Sequence, residues 1–205
     1  MRPLLWFPFS VVLFSAVGVL RVSAGIERSL DKTFDVAPGS IVKVEVSGAA
    51  IRTTVGPAGS ARVVLKEKFR TDDPAEADRL LERYDILCEQ QGEEVKLVVR
   101  VKRGSLFAWR GNRGVAFAPE ITVPADVRLD LDTSGGSIRV GVDPAAKLDI
   151  EADTSGGRVQ VDGFADFVAT KKTRTHVSGT LNGGGGRLRA DTSGGSIRIG
   201  AADRK

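Results

Sequence analysis

Three stretches of this chain are near copies of one another. Asp132 to Val140 reads D-T-S-G-G-S-I-R-V, Asp153 to Val161 reads D-T-S-G-G-R-V-Q-V, and Asp191 to Ile199 reads D-T-S-G-G-S-I-R-I. An alternating run precedes each: Leu129-Asp130-Leu131, Leu148 to Ala152, and Leu188-Arg189-Ala190. A weaker copy, Val177-Ser178-Gly179-Thr180-Leu181, lies between the second and the third, and a degenerate one, Val46 to Arg52, fits the same frame upstream. Such self-similarity is the mark of a repeated architecture, in which each unit leans on its neighbours.

Each unit reads as a short strand, a T-S-G-G corner, a second strand and a brief loop such as Gly141-Val142-Asp143-Pro144. Period-two alternation buries one face of each strand and wets the other. The paired glycines are expected to relieve positive φ at a sharp corner and to let neighbouring coils stack closely. A unit of roughly 20 residues cannot bury its own apolar face, so the copies must stack. The predicted fold class is therefore all-β: a stacked parallel β-helix or β-solenoid-like domain with one short helix, its repeats concentrated in residues 128–201. A two-sheet sandwich joined by hairpin turns is the alternative.

Upstream of the repeats the pattern changes. Thr33 to Thr54 alternates through Val42, Val44, Val46, Ile51 and Thr53, and Ala61 to Phe69 reads as another strand. Pro74 to Tyr84 carries Ala77, Leu80, Leu81 and Tyr84 at helical spacing, with Asp72 or Asp73 as N-cap and Pro74 in the first turn. Ile86 to Gln90 and Val95 to Val101 form a hairpin around Gln91-Gly92-Glu93. Cys88 shares a face with Ile86 and is expected in the core.

Leu4 to Leu20 is almost continuously apolar, follows Arg2 and runs into Val22-Ser23-Ala24, the pattern of a secretory signal with its small-residue cleavage site. Residues 1–24 are thus read as a signal peptide and 25–205 as one domain, secreted or held in the cell envelope. Membrane association is expected only if that segment stays uncleaved. Removing it takes away Arg2 and Arg21 from a formal charge of only +4, so nucleic acid is not an expected partner. The lone Cys88 cannot form an internal disulfide, and the lone His176 cannot build a His-rich metal site. No cofactor and no metal are expected.

The D-T-S-G motif comes near the D-T-G of aspartic proteases, but an extra residue separates Asp from Gly and three copies replace two lobes. Asp132, Asp153 and Asp191 should instead face outward, stacked. Such a stack could hold Ca²⁺, yet the repeats lack the calcium nonapeptide, and Lys171 or a neighbour would interrupt the ladder between Asp153 and Asp191. The favoured role is structural, with Asp and Thr side chains bonding the corner backbone. Ser29 to Lys32 fits S-x-x-K without its companion motifs and falls in an N-terminus expected to be flexible. Gly183 to Gly186 lacks the Lys-Ser/Thr of a phosphate loop, and His176 shows no partner in the sequence. No catalytic residue is assigned. Candidate ligand-binding residues are Trp109, Arg110 and Arg113, in an aromatic and basic segment, together with outward-facing Arg139 and Arg198 on the repeats. The alternative for the aromatic segment is a loop that folds back over the core.

These features resemble the bacterial putative-adhesin family: the opening Ser29 to Val36, the helix at Pro74 to Tyr84, the Glu-Gln-Gln-Gly hairpin at 89–92, Ile121-Thr122-Val123-Pro124, and the T-S-G-G-S-I-R-V copies. The resemblance implies a β-helix-like fold and an envelope location, and it supplies no catalytic residues. The expected function is a non-enzymatic envelope or surface scaffold presenting repeated side chains to an envelope polymer or protein partner. The alternatives are a carbohydrate-active β-helix enzyme using Asp132 and Asp153, or an envelope-stress regulatory partner of a membrane protein.

Overall fold

The structure is a computed structural model, and it describes residues 25–56, 59–102 and 114–202. In chain order its elements are β1 (Glu27–Asp35), β2 (Ile41–Val46), β3 (Ile51–Gly56), β4 (Ser60–Phe69), α1 (Pro74–Leu81), β5 (Tyr84–Gln91), β6 (Glu94–Val101), β7 (Val115–Pro124) and β8 (Arg128–Thr133). β9 (Ile138–Val142), β10 (Leu148–Thr154), β11 (Val159–Asp162), β12 (Phe167–Lys172), β13 (His176–Leu181), β14 (Gly186–Thr192) and β15 (Ile197–Ala201) follow. They form a seven-stranded sheet in the order β1-β4-β7-β3-β9-β15-β11 and an eight-stranded sheet in the order β12-β13-β10-β14-β8-β2-β6-β5. Both sheets are mixed, and their inward residues share one hydrophobic cluster.

The all-β class is therefore found, with α1 as the one helix among the described residues. A β-helix or solenoid is not what the sheets show. The chain passes from the eight-stranded sheet to the seven-stranded one five times: from β6 to β7 through residues 103–113, outside the described residues, and at four described corners, β2 to β3, β8 to β9, β10 to β11 and β14 to β15. Their strands pair in parallel, as stacking requires, but in the order β2, β8, β14, β10. The last corner of the sequence thus sits between the two that precede it.

The glycine run makes that insertion possible. After β13 pairs antiparallel with β10, the chain must pass the start of β10 to enter the sheet on its other side. Asn182, Gly183 and Gly184 take φ of 50°, 83° and 82°, the left-handed region that glycine enters freely. Asn182 donates to the carbonyls of Pro144 and Ala146 at 2.8 and 2.7 Å, pinning the crossing. A Cβ on Gly186 would lie 1.9 Å from the Ala125 carbonyl oxygen.

The corner glycines answer a different demand from the one expected. None of those in the T-S-G-G copies has positive φ; only Gly48, in the degenerate copy, does. Their reason is close approach. A Cβ on Gly136 would stand 1.9 Å from the Ala49 oxygen, on Gly195 1.9 Å from the Gly136 oxygen, and on Gly157 2.1 Å from the Gly195 oxygen. The threonines knit the same stack. Thr133, Thr192 and Thr154 are buried, and their hydroxyls donate to Ala49 O, Gly136 O and Gly195 O at 2.9, 2.8 and 2.7 Å. Each also accepts from the amide three residues on, in Gly136, Gly195 and Gly157. In the β2–β3 corner Val46 and Ala49 occupy the Thr and second-Gly frames.

Other expectations need correction. Val177 to Leu181 is not a corner but the body of β13. Ser29 to Lys32 is not loose; β1 pairs with β4 along its whole length. Asp73 caps α1 by accepting from the Ala75 amide at 2.9 Å, with Pro74 in the first turn as predicted, and Tyr84 begins β5 instead of ending the helix. The β5–β6 hairpin turns at Gly92, and Cys88 is buried.

Candidate functional site

In-register stacking turns sequence repetition into rows of side chains. On the outer face of the seven-stranded sheet, Arg52, Arg139, Arg198 and Gln160 stand at paired positions on β3, β9, β15 and β11. Neighbouring strands are about 4.8 Å apart, so these groups form a continuous line. All three arginines are exposed. Arg198 donates to the Gln160 side-chain oxygen at 3.0 Å, and Arg52 lies 4.0 Å from Glu120. Arg139 has no side-chain partner among the described residues, nor does Arg158 just before β11.

Arg139, Arg158, Arg198, Ser137, Ser196 and Gln160 line a shallow depression of 370 Å³ with no carboxylate on its wall. Two serine hydroxyls serve as acceptors there. Ser196 Oγ receives the Arg158 amide at 3.3 Å, and Ser137 Oγ receives the Ser196 amide at 3.4 Å. Their own protons are left to point at whatever fills the depression. Elsewhere on this face the cations are matched: Arg62 with Asp31 at 2.5 Å, Lys66 with Glu120 at 2.7 Å, and Lys68 with Glu27 at 2.8 Å. Arg62 and Lys68 hold the Asp31 and Glu27 carboxyls below their ordinary range.

The eight-stranded sheet carries an acidic row in the same frame: Glu45, Asp132, Asp191 and Asp153 on β2, β8, β14 and β10. Asp132 and Asp153 face out as expected, and nothing interrupts the row between Asp153 and Asp191, which are direct neighbours. Their role is not to bond the corner backbone, which threonine and serine hydroxyls do. Asp153 meets His176 Nδ1 at 2.9 Å, the partner the sequence did not reveal, because β13 returns antiparallel beside β10. Asp191 accepts from Arg189 Nε at 2.7 Å, a pairing that raises the Arg189 guanidinium above its ordinary range. Glu45 is flanked by Lys43 and Arg100. This face is largely compensated from within. Asp132 and Asp153, the carboxylates of the enzyme alternative, are separated by the whole of β14. Among the described residues no group of three metal-ligating side chains converges.

The structure thus brings Arg139 and Arg198 side by side, while Trp109, Arg110 and Arg113 lie outside the described residues. Sequence reasoning missed Arg52, Arg158, Ser137 and Ser196. The signal for Arg52 was present, since it holds in the degenerate copy the frame that Arg139 holds in the first. Two buried ionisable groups sit away from this face. Burial pushes the Glu67 carboxyl above the usual carboxylate range, with Arg28 pulling the other way, and burial likewise pushes the Cys88 thiol up.

No family model and no curated protein matches the chain. Among solved structures, similar ones include a protein described as a putative cell adhesion protein from Clostridium sporogenes, with 10% identity, 86% of this chain and 100% of that one covered, and a TM-score of 0.36. A putative adhesin from Parabacteroides merdae has 8% identity over 67% of this chain and 45% of its own, with a TM-score of 0.30. A putative lipid binding protein from Parabacteroides distasonis has 10% identity over 85% and 98%, with a TM-score of 0.27. At these values the likenesses carry no argument about what this chain binds. Among the described residues no helix is long and apolar enough to cross a membrane.

Proposed function

We propose that the protein is a non-enzymatic binding scaffold of the cell envelope or surface, exported by its first 24 residues. Its stack of corners serves to present repeated side chains to an envelope polymer or protein partner, with neither nucleic acid nor a cofactor involved. The single observation that carries this reading is the in-register arginine row, Arg52, Arg139 and Arg198, on the outer face of the seven-stranded sheet. A fold needs inward residues to repeat; it does not need the same exposed cation in the same frame of three coils, and side-by-side guanidiniums repel one another. The energy spent on that juxtaposition is recovered when an anionic partner lies across it.

The test is retention of purified protein on bacterial envelope preparations. The intact chain is retained, and Arg139→Ala combined with Arg198→Ala is released at lower salt. Equal retention of the two proteins removes this face from the account. A glycan-cleavage screen checks the enzyme alternative, and turnover abolished by Asp153→Asn would establish it.

A further inference from the structure

The depression lined by Arg139, Arg158 and Arg198 has the chemistry of a phosphate site. Guanidinium is a planar donor fork matched to the oxygens of a phosphate, and it is less strongly hydrated than an ammonium, so it gives up water at lower cost. Three such groups converge on 370 Å³ with two hydroxyls whose oxygens already accept backbone amides. The wall therefore offers donors almost throughout: the only side-chain acceptor with a free-standing carbonyl is Gln160, and Arg198 already occupies it at 3.0 Å. A neutral sugar needs acceptors as well as donors, whereas a phosphate is acceptor only. The comparison within the molecule is direct. The matching depression on the eight-stranded sheet mixes Lys43 and Arg189 with Asp130, Asp132 and Asp191, and so carries its own counter-ions.

Two glycines widen the approach. Gly141 and Gly200 follow Arg139 and Arg198 on the same outer face. Neither has positive φ, and a Cβ on either would meet nothing closer than 3.5 Å, so the fold itself does not demand glycine there. Neither glycine places a side chain of its own beside the guanidiniums, and on that flank the small Ala202 side chain lies 3.5 Å from where a Gly141 Cβ would stand.

We infer that this site, resting on the binding-scaffold reading above, takes phosphate groups borne on an envelope polymer or lipid headgroup, laid across β9, β15 and β11 with Arg139, Arg198 and Arg158 as the recognising residues. Arg52 extends the line by one strand for a ligand carrying a second phosphate.

The test is calorimetric titration of the purified protein with short-chain polyphosphate, with vesicle flotation on phosphatidylglycerol and phosphatidylcholine as the lipid arm. The intact protein binds polyphosphate, and salt weakens the binding. Loss of a charge-assisted contact weakens it about tenfold or more for each of Arg139→Gln, Arg158→Gln and Arg198→Gln. Arg62→Gln, on the same face but paired with Asp31, leaves it within about twofold. Flotation with phosphatidylglycerol but not phosphatidylcholine, lost in the same variants, assigns the source to lipid; polyphosphate binding without flotation assigns it to polymer. Circular dichroism confirms that each exposed variant is folded. Equal losses in Arg62→Gln, tighter binding of single-stranded DNA, or tighter binding of polyglutamate each overturn the assignment. Absence of phosphate binding in a protein still retained on envelope preparations removes the phosphate inference alone, and loss of both removes the scaffold reading with it.

Discussion

Replacing Gly195 by alanine should destabilise the stack at its middle. The new Cβ would stand 1.9 Å from the Gly136 carbonyl oxygen, 2.4 Å from its carbon and 2.7 Å from the Ser137 nitrogen, all of them backbone atoms that no rotamer change can move. A carbon tolerates an oxygen at about 3.3 Å, so the β14–β15 corner has to retreat by ~1.4 Å. That retreat breaks or stretches the Thr192 hydroxyl bond to Gly136 O (2.8 Å), the Ile138 amide bond to Ser196 O (3.0 Å) and the Ser193 amide bond to Thr133 O (3.3 Å). At about 1 kcal/mol for each bond and a similar amount for overpacking strain, the loss is about 4 kcal/mol. A domain holds only about 5–15 kcal/mol in total, so a fall in Tm of roughly 10 °C is expected. The assay is thermal and urea melting followed by far-UV circular dichroism. Gly135→Ala is the control, because a Cβ there meets only Gly48 Cα at 3.8 Å, and it should cost less than about 1 kcal/mol. Equal losses at Gly195 and Gly135 would refute the close-approach argument.

Thr192→Val keeps shape but leaves the Gly136 carbonyl and the Gly195 amide without their shared partner, and urea melts should show a loss of about 1–3 kcal/mol. Thr53→Val should do the opposite. Its buried hydroxyl has no hydrogen-bond partner, the other coils carry Val140, Ile199 and Val161 in that frame, and a gain of about 1 kcal/mol is expected in the same melts. Glu67→Gln should stabilise at pH 7. Burial raises the folded carboxyl above its unfolded range, so the native state favours the protonated form, stability falls as pH rises through the raised value, and the gain from glutamine disappears when both proteins are melted below pH 4.5. Cys88, 7% exposed and with its thiol pushed up by burial, should react with a thiol reagent about tenfold or more slowly in the native protein than in denaturant.

Local structure was legible because it is written locally. Alternation located the strands, Asp73 and Pro74 announced α1, and the shared frame of Arg139 and Arg198 placed both on the outer face. Coil order was not legible. In parallel pairing any two corners of like sequence can be neighbours, and what decides is the path between them. Here the β12–β13 pair occupies the outer side of β10, and the Asn182–Gly186 crossing sends β14 to its inner side. The His176–Asp153 contact follows from that same antiparallel return, so it was invisible to a reading that wound the chain in sequence order.

The interleaved stack is tested most directly by disulfide trapping in a Cys88→Ser background. Asp132 and Asp191 are paired on adjacent strands, whereas Asp132 and Asp153 have β14 between them. Adjacent strands at about 4.8 Å fall within the Cα separation a disulfide spans, and two strand spacings exceed it. Asp132→Cys with Asp191→Cys should close an intramolecular disulfide under mild oxidation, while Asp132→Cys with Asp153→Cys should stay reduced. Closure of the second pair and not the first would mean that the coils follow one another in sequence order, and it would contradict the architecture on which the arginine face depends.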